Sequence, residues 1–147
     1  MTVHVRLLVV GTPENLFCFG DEVKSRHIPY KYFSLDRIVR TPIPVPASDV
    51  RDWRRSNWGS PHDAYNVSLI DGPGELVIEF DCREFPCKVI EKLISRYPTL
   101  GFSGIYEDDT NHVPVGFSGS RSKRRGKPLG KCTVENQQKL VFDRIAA

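Results

Sequence analysis

Residues 75–107, ELVIEFDCREFPCKVIEKLISRYPTLGFSGIYE, carry two periodicities in succession, and the switch between them decides the fold. Over 75–81, Leu76, Ile78 and Phe80 alternate with Glu75, Val77, Glu79 and Asp81, the period-two pattern of a strand with one buried face. From Pro86 the apolar residues Val89, Ile90, Leu93, Ile94 and Tyr97 recur at helical spacing until Pro98. A proline in the first turn of a helix sacrifices no hydrogen bond, whereas one further on stops it, so the pattern predicts a helix over 86–97. Lys92 and Arg96 fall in its later turns, where the helix dipole favours cations, and Glu84 stands four residues before Lys88. LGFSGIYE then reads as a strand again.

Working outward, residues 64–70 read as a strand joined to 75–81 by Asp-Gly-Pro-Gly, a hairpin expected to turn through a loop rather than through two residues. HVPVGFSG (112–119) is expected to pair back on LGFSGIYE through the polar DDTN. At the start, VHVRLLVVG (3–11) alternates Val3, Val5, Leu7 and Val9 against His4, Arg6 and Leu8. Thr12 and Pro13 offer an N-cap and an N1 proline for a helix near 13–25 that presents Leu16, Phe19 and Val23 on one face. Gly20, inside that helix, is a poor helix former. Residues 27–61 hold Pro29, Pro42, Pro44, Pro46 and Pro61, so an insertion without long regular elements is expected there, anchored by FSLDRIV and two tryptophans. The resulting order is that of an α+β, ferredoxin-like β-α-β-β-α-β sandwich: an antiparallel sheet with two helices on one face and a Pro-rich insertion after the first helix.

The 147 residues, 39% hydrophobic and 27% charged, suit one domain (1–147) that buries its own core without metal or disulfide staples. No apolar run is long enough for a membrane span, and MTVHVRLLVV lacks a basic segment followed by a small-residue cleavage site, so the cytoplasm is the expected compartment. Cys18, Cys82, Cys87 and Cys132 form no CxxC pair and lie at no zinc-finger distance from a histidine. They are expected to be reduced thiols, with neither metal nor cofactor. Charge is segregated: 24–55 carries eight Lys or Arg against three Asp, 62–112 carries four against ten acids, and 113–132 carries six bases and no acid. The last of these, the basic segment within 119–132, is expected to be mobile unless a partner orders it.

Several pieces of the chain resemble the YubB-like proteins of plasmids and bacteriophages: LLVVG with Phe19, FSLDRIVRTPIPVP (33–46), NWGS with DAY behind it, YPTLGFSGIYED and VGFSG, in the same order. That family typically has Asn-Trp-Gly-Thr-Lys-Trp-Asp-Ala where this chain has Asn57-Trp58-Gly59-Ser60-Pro61-His62-Asp63-Ala64. The resemblance implies a ferredoxin-like domain carried on a mobile genetic element; it implies no activity.

Three classes of function are open. A non-enzymatic accessory protein that binds host or mobile-element proteins is the leading expectation, with Glu75, Glu79 and Asp81 on the open sheet face as an acidic surface for a basic partner. A single-stranded nucleic-acid binder is the alternative, with cations and a stacking ring from Arg51, Trp53, Arg54 and Arg55 and from Arg121, Lys123, Arg124, Arg125 and Lys127. A hydrolase-type enzyme at Trp58, His62 and Asp63 comes last, because the residues around them supply no activated nucleophile and no phosphate-cradling loop. The simpler expectation for that stretch is architectural. Trp58 anchors the insertion, Gly59 turns the chain and Asn57 bonds the turn backbone.

Overall fold

The computed structural model describes residues 1–43, 45–119 and 141–144. In chain order it contains β1 (Val3–Val10), α1 (Pro13–Val23), α2 (Leu35–Ile38), α3 (Val50–Trp58), β2 (Tyr65–Gly72), β3 (Glu75–Cys82), α4 (Cys87–Arg96), β4 (Gly101–Asp108), β5 (Val115–Gly119) and β6 (Val141–Arg144). The strands form one antiparallel sheet in the order β2-β3-β1-β4-β5-β6, so the protein is α+β.

Register follows from the alternation. Val5 stands opposite Phe80 and Tyr106, Leu7 opposite Ile78 and Gly104, and Val9 opposite Leu76 and Phe102. These inward rows share one buried cluster with Leu16, Phe19 and Val23 of α1 and with Val89, Ile90, Leu93 and Ile94 of α4. Phe19 sets its ring edge-on to Tyr97 at 5.1 Å and to Phe102 at 5.7 Å, and Phe33 stacks on Phe80 at 4.8 Å. At Gly104 a Cβ would lie 2.1 Å from the Arg6 carbonyl oxygen and 2.7 Å from the Phe117 ring, so only glycine admits that ring against the sheet.

The hairpin is tighter than the sequence suggested. Pairing continues through Asp71–Leu76 to Gly72–Glu75, leaving Pro73 and Gly74 as a two-residue turn, with Gly74 at φ 75°. A proline followed by a glycine at positive φ is the signature of a type II turn. Helix α1 ends at Val23, short of the expected 25, because the chain leaves it to bond the incoming loop: the Ser34 N–H donates to the Val23 carbonyl at 2.8 Å. In α4, Pro86 is the N-cap residue rather than part of the first turn. The insertion, in which no long regular element was expected, holds a nine-residue helix, α3, in the proline-free window between Pro46 and Pro61. Finally, β6 follows the basic segment and pairs with β5. Beyond residue 119 that segment, expected to be mobile, lies outside the described residues.

Candidate functional site

The tryptophan stretch belongs to the architecture. α3 runs from Val50 to Trp58, and Gly59 terminates it in the left-handed conformation at φ 88°. A Cβ on Gly59 would also approach the Cys87 nitrogen and the Phe85 carbonyl oxygen to 3.0 Å, so both dihedral and space call for glycine. Trp58 is fully buried and its Nε1–H donates to the Val39 carbonyl at 2.6 Å. The Arg54 guanidinium lies 4.7 Å over its ring, and half-buried Trp53 meets it edge-on at 6.3 Å. Trp53 thus packs against the core instead of standing free as a base-stacking platform. The Asn57 amide donates to the Trp53 carbonyl one helical turn back, inside α3 and not in the turn after it.

Asp63 is similarly committed. Its carboxylate accepts from Leu35 N (2.6 Å), Ser34 Oγ (2.8 Å) and its neighbour Ala64 N (2.7 Å), with Lys31 Nζ at 3.3 Å. It ties the start of α2 to the start of β2. His62 points elsewhere, into a surface hollow of about 430 Å³ that it shares with Arg51 and Arg55 of α3, Pro61, and Arg83 and Glu84 from the β3–α4 loop. Partial desolvation and the positive charge of Arg51, Arg83, Arg54 and Arg55 hold its imidazole below the usual histidine range. Residues 51, 54 and 55 were legible as a basic cluster; Arg83 is brought in from across the fold.

The open sheet face is less acidic than its sequence suggested. Glu79 lies directly across from Arg6 of β1, at 3.7 Å, and Asp81 from His4, at 2.6 Å, with Asn66 Nδ2 donating to the other Asp81 oxygen. Arg6 therefore offsets the charge of Glu79, Asp81 is engaged in hydrogen bonds with His4 and Asn66, and Glu75 sits at the sheet end opposite Val10. The remaining candidates, Arg121, Lys123, Arg124, Arg125 and Lys127, lie outside the described residues.

A site that sequence reasoning missed lies between α1 and the β2–β3 hairpin. β2 is the terminal strand of the sheet, and no described element pairs with its outer edge. Its eight residues, YNVSLIDG, include no lysine, arginine or proline to discourage strand addition; a bulge near Asn66, at φ 51°, is its one irregularity. Alongside this edge runs a groove of about 390 Å³, floored by Leu69, Leu76 and Ile78 and walled by Leu16, Phe17 and Gly20. Phe17 is 77% exposed at its rim. Gly20 lines the groove without a side chain, and an added Cβ there would meet nothing within 4 Å. Of the charged groups lining it, Asp21 and Lys24 pair at 2.9 Å, which leaves Asp71 as the free charge among the described residues.

Among the described residues no cluster of three or more His, Cys, Asp or Glu could hold a metal, and no helix is long and apolar enough to cross a membrane. Fold and groove define an α+β protein with an open sheet edge beside an apolar cleft. Compared with known proteins, the chain matches no family model, no curated protein and no solved structure.

Proposed function

We propose that the protein is a non-catalytic protein-binding module that takes an extended segment of its partner along the β2 edge. The observation that carries this reading is the juxtaposition of an unpaired strand edge, free of lysine, arginine and proline, with a largely apolar groove. A strand added there gains main-chain hydrogen bonds from the edge, while every second side chain can drop into the groove and supply specificity. The segment that fits has alternating apolar residues and a Lys or Arg placed to meet Asp71. Gly20 supports the same reading, since in a helix interior it costs roughly 0.5–1 kcal/mol relative to alanine and no packing contact requires it.

The strand order β2-β3-β1-β4 and the contribution of α1 and α4 to one core support a ferredoxin-like arrangement, with β5 and β6 extending the sheet. Together with the YubB-like sequence pieces, this supports an accessory role on a mobile genetic element, acting on host machinery. The paired state of Glu79 and Asp81 favours the β2 edge over the open sheet face as the contact surface.

The test is selection of peptides from a random library on the full chain, followed by affinity measurement on variants. Gly20→Trp should fill the groove, leave thermal stability close to that of the parent and weaken the selected peptides at least tenfold; Phe17→Asp should weaken them as well. Selected peptides that bind both variants as tightly as the parent would rule this site out.

A further inference from the structure

The hollow between α3 and the β3–α4 loop has features that the groove does not explain. Arg51 and Arg55 stand one helical turn apart on α3 and open onto the same space as Arg83 and His62. The sole acid lining it, Glu84, accepts from Arg55 Nε at 3.3 Å, and Asp52 lies 3.9 Å from Arg55 Nη1. These contacts hold the Arg55 guanidinium in place. Arg51 and Arg83 are exposed. With Arg55 held by these acids, Arg51 and Arg83 bring two guanidinium charges to a hollow that Met1 also lines, and no acid among the described residues pairs with either. Like charges converge in this way at an energetic cost, and nothing in the packing requires it: Lys88, not an arginine, ties the two helices by donating to the Ser56 carbonyl at 2.7 Å.

We infer that Arg51, Arg55, Arg83 and His62 form a binding site for a phosphomonoester, the terminal phosphate of a nucleotide or of a nucleic-acid strand. Arginine is suited to this ligand because its planar fork offers two parallel N–H donors to a pair of phosphate oxygens, and a terminal phosphate carries close to two negative charges at neutral pH. The two guanidinium charges of Arg51 and Arg83 match that charge. A backbone diester carries one charge and one fewer free oxygen, and so satisfies fewer of these donors. The site is independent of the groove, since the two share no lining residue.

The experiment compares, by fluorescence anisotropy on the full chain, a short oligothymidylate with a 5′-phosphate and the same strand with a 5′-hydroxyl. Adenosine monophosphate and inorganic phosphate serve as competitors. The contrast between the two ends removes whatever the basic segment contributes to both. The 5′-phosphorylated strand should bind about tenfold tighter, and Arg51→Ala and Arg83→Ala should each erase most of that difference, whereas Arg26→Ala, on another surface, should leave it intact. Competition by the mononucleotide at the oligomer's own affinity assigns the ligand to nucleotides; competition only at much higher concentration assigns it to strand ends. Equal binding of the two strands together with no displacement by the mononucleotide beyond that by inorganic phosphate would overturn the inference. A difference that survives both arginine variants would do so too. Both substitutions remove exposed side chains, and unchanged far-ultraviolet circular dichroism checks that the fold is retained.

Discussion

Truncating Trp58 to alanine is the most severe single perturbation the fold offers. The side chain is fully buried, donates to the Val39 carbonyl at 2.6 Å, and carries the Arg54 guanidinium and the Trp53 edge on its two sides. Removing a large buried aromatic costs roughly 3–5 kcal/mol, from lost transfer energy and the cavity left behind. The lost hydrogen bond adds little, because Val39 is only half-buried and water can replace the indole N–H. A total of about 4 kcal/mol lowers the melting temperature by roughly 12 °C in a chain of this length. Trp58→Phe separates the contributions: it keeps most of the volume and loses the donor, so about 2 kcal/mol is expected. Urea unfolding followed by far-ultraviolet circular dichroism measures both, with an unchanged dependence on denaturant indicating that the unfolded state is the same. A Trp58→Ala variant within 1 kcal/mol of the parent would refute the anchoring role argued for this residue.

Gly59→Ala should destabilise by roughly 2 kcal/mol or more, since alanine is disfavoured at φ 88° and its Cβ would press on the Cys87 nitrogen and the Phe85 oxygen; thermal melts give the value. Asp63→Ala strands the Leu35 N–H and the Ser34 hydroxyl and should cost roughly 3 kcal/mol, while Asp63→Asn keeps an acceptor and should cost less than half as much, again by urea titration. The depressed His62 pKa makes stability pH-dependent with a definite sign. Below the unfolded value near 6.5, the unfolded chain takes up a proton that the folded chain resists, so His62 lowers stability as pH falls from there through its folded value; His62→Gln should flatten that part of a melting-temperature profile.

The parts of the fold that were legible are those whose burial is periodic within a single segment. The alternation in 3–10 and 75–82 and the helical spacing from Val89 to Ile94 each report one face against one core, and they need no knowledge of the rest of the chain. α3 was hidden because VRDWRRSNW buries little besides Trp58 and is held by its glycine C-cap and by contacts with α4, while the flanking prolines suggested irregular chain. Gly59 after a run of arginines was the available signal for its end. Glu79 and Asp81 read as an acidic surface because sequence does not show that Arg6 and His4 stand opposite them. The arginine hollow was half legible for the same reason: Arg51, Arg54 and Arg55 are neighbours in sequence, and Arg83 joins them only through the packing of α4 on α3. A groove is empty space and leaves no residue pattern, yet Gly20 was its trace, a helix-weakening residue with no turn to make.

Amide hydrogen exchange of the full chain, with and without a selected peptide, tests the β2-edge proposal most directly. An edge strand directs alternate N–H groups outward, so strand addition should slow exchange at every second amide across 65–70, by tenfold or more, together with protection around Phe17. Protection confined to α3 or to the open face around His4, Arg6 and Glu79, with the β2 amides unchanged, would contradict it.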